Sequence, residues 1–183
     1  MEEEGNLMLI KNNLSSLLII DVQEKLTAVM NNIEGVIENI SILKRAAHRL
    51  SIPQLTSEQY PEGLGRTKET LNDGDVVHKI NFSCMADEVF EKKFMALNCK
   101  QAVIVGIESH VCVLQTAMDL LERDVQVFVV VDGTASRVSS SHEYAMKRLL
   151  SVGVEIVTTE MVLFEWLEKS GTPAFRELTK LIK

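Results

Sequence analysis

Runs of consecutive apolar residues alternate along this chain with segments in which apolar residues recur every three or four positions. The runs are typical of strands that are buried on both faces, and the periodic segments are typical of amphipathic helices. The predicted strands cover residues 17–20, 54–56, 76–79, 102–105, 125–131 and 154–158. The predicted helices cover residues 33–50, 87–97, 111–121, 140–150, 160–169 and 173–181.

Cap signals support three of the helix starts. Asn31 or Asn32 can cap the first helix. Ser140 followed by Glu143 has the spacing of a capping box, in which each side chain bonds the main-chain N–H of the other residue. The last helix begins at Thr172-Pro173, which supplies an N-cap residue and a first helical residue.

Strands that alternate with helices indicate an α/β fold with a parallel sheet. We expect a three-layer, doubly wound fold with a six-stranded parallel sheet of order 3-2-1-4-5-6 and helices on both faces. The 183 residues suit a single domain, assigned to residues 14–183, behind a flexible N-terminal arm of residues 1–13. The turn-rich segment 57–74 is predicted to be a long loop, either functional or disordered.

Three side chains with reactive chemistry follow predicted strands. Asp21 ends the first strand, Lys79 ends the third, and Cys112 lies in the helical turn after the fourth. The carboxyl ends of parallel strands meet at one sheet edge, and the predicted order puts Asp21 beside Cys112. A helix N-terminus stabilises a thiolate, a partly buried carboxylate can take up a thiol proton, and a lysine stabilises both negative groups. A strand-end cap, a solvated charge and a core thiol are the alternative interpretations.

Composition excludes several classes of protein. The formal net charge of -7 argues against a nucleic-acid-binding surface, which needs a basic patch. No apolar run approaches the roughly 20 residues that span a bilayer, and the acidic N-terminus lacks a secretory signal pattern. Three widely spaced cysteines, Cys84, Cys99 and Cys112, suggest a reducing compartment. We therefore expect a cytoplasmic protein that binds neither nucleic acid nor membranes.

Three segments together resemble the signature blocks of the isochorismatase-like cysteine hydrolases: LLIIDVQEKL, KINFSCM and VGIESHVCVLQTAMDLL. The segment EQYPEGLG resembles the corresponding loop of the isochorismatase-domain-containing subgroup. The similarity runs in the same order from Leu17 to Gly171, which is nearly the whole chain. It implies a hydrolase with a Cys–Asp–Lys triad, acting on a small amide, imide or related carbonyl substrate.

The resemblance also implies a role for individual residues. Cys112 would attack a carbonyl or imine carbon and form a covalent intermediate, while Asp21 would accept the thiol proton and later activate water. Lys79 would complete the triad. A cis peptide bond between Ile107 and Glu108 would orient main-chain N–H groups towards the developing oxyanion.

Further residues in the matching segments are candidates to line the substrate pocket, and ordinary loop or core packing is the alternative for each. These candidates are Gln23, Gln59, Tyr60, Phe82 and Glu108.

Two departures from related families narrow the activity. Nicotinamidases of this superfamily bind a metal through an aspartate and a pair of histidines after the second strand, whereas the matching segment TSEQYPEGLG contains no histidine. We therefore expect no metal and no cofactor. A true isochorismatase generally lacks the nucleophilic cysteine, so that activity is also disfavoured. No G-x-G-x-x-G follows the first strand, which argues against a Rossmann nucleotide site.

Two other hypotheses stay open. His110 lies two residues from Cys112 and His78 lies beside Lys79, so a Cys–His pair is conceivable, although His78 would point to the opposite face of its strand from Lys79. Alternatively, the fold serves as an interaction or regulatory module with little or no turnover.

We also expect a homo-oligomer, a dimer or higher, because the resembling superfamily is commonly oligomeric. Apolar residues near the C-terminus would supply a subunit contact or be buried within the subunit, and the sequence supports both interpretations. These residues are Phe164, Trp166, Leu167 and Phe175.

Overall fold

A computed structural model describes residues 9–182 of the chain. Most of the predicted arm, residues 1–8, lies outside the described residues. Residues 10 and 11 of the arm contact the domain. Ile10 is fully buried and its N–H donates to Glu165 Oε2 at 2.7 Å, while the N–H of Lys11 donates to Gln101 Oε1 at 2.7 Å.

The sheet confirms the predicted α/β architecture. Its six strands are all parallel and run in the order β3-β2-β1-β4-β5-β6. The chain adds strands on one side of β1 and then, from β4 onwards, on the other side. The carboxyl ends of β1 and β4 therefore lie side by side where the direction of winding reverses. The strands are β1 (Ser15–Ile20), β2 (Gln54–Gln59), β3 (Val76–Lys79), β4 (Gln101–Ile107), β5 (Gln126–Ala135) and β6 (Glu155–Val157).

Helices cover both faces of the sheet, as predicted. Side chains alternate along β1, so that Leu17 and Ile19 join one apolar core while Leu18 and Ile20 join the other. The first core is closed by α2, α7 and α8, and the second by α4, α5 and α6. The helices are α1 (Glu24–Thr27), α2 (Ile33–Arg49), α3 (Pro61–Leu64), α4 (Glu88–Ala96), α5 (Leu114–Leu121), α6 (Ser139–Ser151), α7 (Thr159–Leu167) and α8 (Pro173–Leu178).

Four strands, β1, β2, β4 and β5, extend beyond their predicted ranges. β2 continues to Gln59 because its polar residues pair in register with β3, with Gln59 opposite Lys79. β5 continues to Ala135 past a register shift against β4. The predicted loop 57–74 therefore begins as a strand, and it also contains α3 and a 3₁₀ turn at Glu69–Leu71.

The cap predictions have mixed outcomes. The Thr172 side chain accepts a hydrogen bond from the Phe175 N–H and caps α8 as predicted. The Ser140 capping box is wrong, because α6 begins at Ser139 and its N-cap position is Val138. Asn32 is the N-cap residue of α2, but it has a left-handed backbone and no side-chain cap bond.

The apolar C-terminal residues are divided between the interior and the surface. Trp166 is fully buried and Leu167 nearly so within the chain, so these two side chains are not available for a subunit contact. Phe164 is 42% exposed and lies 6.3 Å, between ring centroids, from Phe175. Among residues 9–182, no helix combines the length and apolar character needed to cross a bilayer.

Candidate active site

Asp21 lies immediately after β1 in a left-handed backbone conformation (φ 51°) and is fully buried. Asp tolerates this conformation better than most residues. The neighbouring strand approaches closely through Gly106, which is paired with Ile20. A Cβ atom at Gly106 would lie 2.1 Å from the Ile20 carbonyl oxygen. The glycine therefore allows β1 and β4 to meet at the point where Asp21 leaves the sheet.

Lys79 reaches Asp21 from the far edge of the sheet, across β2, through its long side chain. It ends β3, and its Nζ lies 2.8 Å from Asp21 Oδ2 and 2.7 Å from Gln59 Oε1. The carbonyl oxygens of Asn81 and Phe82 accept further bonds at 3.2 and 3.0 Å. The ammonium group is thus surrounded by oxygen acceptors, and its side chain is 0% exposed.

Cys112 completes the arrangement. It lies in a π-helical turn, Ser109–Val113, that joins β4 to α5, rather than in the first turn of an α-helix as predicted. Cys112 is only 6% exposed, and its thiol lies close enough to the Asp21 carboxylate for that carboxylate to raise the thiol pKa. The predicted meeting of Asp21, Lys79 and Cys112 at one sheet edge is therefore present in the structure. π-helical turns of this kind are frequent at functional sites.

Burial and nearby charges shift the pKa values of Cys112 and Lys79. Burial, reinforced by the negative charge of Asp21 and only partly offset by Lys79, raises the pKa of the Cys112 thiol. Burial acts to lower the pKa of Lys79, but Asp21, Cys84 and Cys112 outweigh it, so that this pKa is raised. The sequence predicts a thiolate stabilised by a helix N-terminus. The structure instead favours a protonated thiol beside a charged pair.

Two further residues, Ser57 and Cys84, belong to this network and were not predicted from the sequence. Ser57 donates to Asp21 Oδ1 at 2.7 Å, and the Cys84 sulfur lies 3.5 Å from Ser57 Oγ. Burial and the charge of Asp21 raise the pKa of Cys84 to about 11, although Lys79 opposes this. Extending β2 by one residue in parallel register with β1 would have placed Ser57 opposite Ile20, next to Asp21.

The predicted pocket residues fall into two groups. Gln23 and Gln59 are buried and bind each other and nearby main chain: Gln23 Nε2 donates to the carbonyls of Gln59 and Gly65 at 2.9 and 2.7 Å. Both amide hydrogens of Gln23 are therefore already used. Tyr60 and Phe82 are about half exposed. The Tyr60 N–H donates to the Lys79 carbonyl, and the Phe82 carbonyl accepts from Lys79 Nζ. Their contact with a substrate stays a prediction.

The peptide bond between Ile107 and Glu108 is cis, as the resemblance implies. The Glu108 carbonyl accepts hydrogen bonds from the N–H groups of Val111 and Val113 at 3.1 and 3.3 Å, which fastens the turn that carries the cysteine. Its carboxylate is nearly buried and lies 2.5 Å from Arg137 Nε. A charged arginine, 60% exposed, thus stands beside the cysteine turn.

The histidines have partners outside the triad. His78 Nε2 lies 3.2 Å from Glu58 Oε2, on the opposite face of β3 from Lys79. His110 Nδ1 lies 2.9 Å from Ser136 Oγ, and His142 Nδ1 lies 2.8 Å from Ser109 Oγ. The described contacts therefore favour Asp21 over a histidine as the partner of Cys112. Within residues 9–182, no three His, Cys, Asp or Glu side chains form a group that could hold a metal ion.

The chain is similar to known proteins over most of its length. Residues 15–161 match the family model described as the isochorismatase domain. The chain belongs to the isochorismatase family. Among family relatives, isochorismatase domain-containing protein 2 of Danio rerio is 37% identical over 170 residues, which cover 92% of this chain and 86% of the relative.

Two solved structures share the fold of this chain over nearly its whole length. The MAR1 ribonuclease of Caenorhabditis elegans has a TM-score of 0.89 and 36% identity, covering 96% of this chain and 92% of that chain. The YcaC protein of Escherichia coli, described as an octameric hydrolase of unknown specificity, has a TM-score of 0.89 and 21% identity, covering 95% and 90%. At that lower identity the likeness shows the fold alone.

Proposed function

We propose that this protein is a cysteine-dependent hydrolase that cleaves a C–N bond in a small amide, imide or related carbonyl compound without a metal ion. The meeting of the Cys112 thiol with Asp21, itself held by Lys79, is the observation that carries the proposal. Membership of the isochorismatase family, which includes hydrolases, supports it. The absence of histidines from TSEQYPEGLG supports metal independence.

In the first step, the Cys112 sulfur forms a bond to the carbonyl carbon while the thiol proton moves to Asp21. The main-chain N–H of Cys112 donates to the developing oxyanion. The C–N bond then breaks as Asp21 returns the proton to the leaving nitrogen. A water molecule next attacks the thioester, giving one proton to Asp21, which passes it to the departing sulfur. The products are an amine and a carboxylic acid.

The raised pKa of Cys112 makes this proton transfer necessary. A buried thiol with a raised pKa is protonated near neutral pH, so attack requires a base within hydrogen-bond reach. Lys79 holds Asp21 in position and neutralises its charge, while Gln59, Asn81 and Phe82 hold the ammonium group in turn.

A small-molecule substrate is favoured over RNA, although the nematode relative is described as a ribonuclease. RNA binding needs a basic surface, and this chain has a net charge of -7. We further propose a cytoplasmic homo-oligomer, since its three cysteines are unpaired and the Escherichia coli relative is described as octameric. Sedimentation that shows only monomer would remove the oligomer from the proposal.

The decisive experiment measures iodoacetamide alkylation of Cys112 against pH by mass spectrometry, together with turnover of a panel of small amides. Asp21→Asn removes a charge that raises the pKa of Cys112, so alkylation should shift to lower pH. The same variant lacks the proton acceptor, so turnover should fall by about 10²- to 10⁴-fold. Lys79→Ala should shift alkylation to higher pH.

Cys99 provides the comparison thiol, because Cys84 is connected to Asp21 through Ser57. Opposite effects of Asp21→Asn on alkylation and on turnover would support a base that acts directly on the cysteine. If Cys112 has the same alkylation profile in wild type and Asp21→Asn, the triad assignment is wrong. Turnover of no amide by the wild type would instead favour the interaction or regulatory module.

A further inference from the structure

A cleft of about 690 Å³ opens at the amino end of the sheet, away from the candidate active site. It lies between the C-terminal half of α2 and the segment formed by α8 and the following turn, and Gln54 also lines it. Gln54 begins β2, whereas Gln59, which binds Lys79, ends it, so the two ends lie roughly 17 Å apart. The volume is within the range of small-molecule sites.

Four basic side chains line this cleft beside two acidic ones, Asp73 and Glu177, although the whole chain is acidic. Lys44 is paired with Asp73, and Arg49 Nε lies 2.8 Å from Glu177 Oε2. Within the described part of the chain, no hydrogen bond or ion pair engages the side chain of Arg45, and the same holds for His48. The basic residues that α2 contributes are Lys44, Arg45, His48 and Arg49.

Two further features of the cleft indicate that its ligand carries a hydrogen-bond donor and an apolar part as well as a negative charge. Gln54 Oε1 is buried and has no hydrogen-bond partner among residues 9–182, while its Nε2 donates weakly to the Lys44 carbonyl at 3.4 Å. Buried acceptors without a partner are rare and call for a donor. Leu181 is partly exposed and adds apolar surface to the lining, whereas Leu178 is 2% exposed and adds little.

We propose that this cleft is a second binding site, specific for a phosphomonoester that carries an apolar body and a hydrogen-bond donor. The planar guanidinium of Arg45 can donate two parallel bonds to a phosphate. Leu181 contacts the apolar body, and Gln54 Oε1 accepts from the donor. The macrodipole of α2 explains basic residues in its last turns, but it explains neither the partnerless acceptor nor the apolar lining.

Isothermal titration with 4-aminophenyl phosphate, phenyl phosphate, inorganic phosphate and 4-aminophenol tests the proposal. We expect 4-aminophenyl phosphate to bind most tightly, phenyl phosphate and inorganic phosphate more weakly, and 4-aminophenol not at all. Raising the salt from about 0.05 M to about 0.5 M should weaken binding, because the cleft is open to screening. No heat from any phosphate probe, or equal binding of 4-aminophenol, would overturn the proposal.

Variants assign binding to this cleft. Arg45→Ala should weaken 4-aminophenyl phosphate at least about tenfold. Arg148→Ala, which removes an exposed arginine from α6, should leave it unchanged. Gln54→Leu should abolish the preference for the amino-substituted probe over phenyl phosphate. When 4-aminophenyl phosphate binds, amide hydrogen exchange should slow in α2 and α8. Slower exchange confined to Ser109–Val113 would reject this site. An equal loss of affinity in Arg45→Ala and Arg148→Ala would also reject it.

Discussion

Two ion pairs with the same N–O separation lie at opposite ends of the sheet. At the carboxyl end, Lys79 Nζ and Asp21 Oδ2 are 2.8 Å apart, and both side chains are 0% exposed. At the amino end, Arg49 Nε and Glu177 Oε2 are also 2.8 Å apart, yet their side chains are 41% and 58% exposed. The two pairs therefore have the same N–O distance and differ in their exposure to solvent.

This difference determines what each pair can do. Water screens the exposed pair, so either partner can be exchanged for a ligand with little loss of stability. The buried pair has lost its hydration, and each charge depends on the other and on surrounding acceptors such as Gln59. The carboxyl end is therefore suited to holding one fixed geometry for chemistry, and the amino end to reversible binding.

Removing one buried charge should have the largest effect on stability. Lys79→Met leaves Asp21 uncompensated in the interior, and we expect the free energy of unfolding to fall by about 3–5 kcal/mol. Arg49→Met, the matched change at the exposed pair, should lower it by about 1 kcal/mol or less. Urea denaturation at neutral pH measures both.

The double variant Asp21→Asn with Lys79→Met sharpens this result. Because it removes both charges, it should be more stable than Lys79→Met alone. Equal losses for Lys79→Met and Arg49→Met would show that burial does not distinguish the two ends of the sheet.

The buried end should also lose stability in alkali. The pKa of Cys84 rises from its ordinary 9.0 to about 11 on folding. Below pH 9 the thiol is protonated in both states, so its contribution is fully present. Above pH 9 the unfolded chain loses the proton first, and the free energy of unfolding should fall by about 2 kcal/mol between pH 8 and 11 from this group.

Cys84→Ser removes that titration while keeping a hydroxyl beside Ser57. Urea denaturation under reducing conditions should therefore show a shallower alkaline decline for Cys84→Ser than for wild type. Cys99→Ser is the control, since that thiol is only partly buried and should account for less of the decline. An identical pH dependence for wild type and Cys84→Ser would contradict the raised pKa.

The fold was predictable because its strongest signals are local. Apolar runs such as 102–105 identify buried strands, alternation with helices indicates a parallel sheet, and the winding rule then brings Asp21, Lys79 and Cys112 to one edge. Strand order and the meeting of these side chains follow from that topology, without knowledge of any loop.

Features that depend on tertiary contacts were not predictable. The last three residues of β2 are polar yet buried, because each forms a hydrogen bond with a residue elsewhere in the chain: Ser57, Glu58 and Gln59. The apolar pattern therefore did not predict where β2 ends. The Ser140 capping signal was overridden when α6 began one residue earlier. The pKa of Cys112 depends on burial and on Asp21, neither of which the helix-terminus argument includes.

The smallest expected effect is the coupling between Arg49 and Glu177, which a double-mutant cycle with Arg49→Met and Glu177→Gln would isolate. Both side chains keep much of their hydration when paired, so the coupling should be below about 1 kcal/mol and should decline further as salt is raised. The Arg137–Glu108 pair, 60% and 6% exposed, provides an intermediate case whose coupling should be larger. A strong coupling between Arg49 and Glu177 that does not change with salt would mean that geometry, and not exposure to solvent, sets the strength of this pair. Exposure would then not explain the difference between the two ends of the sheet.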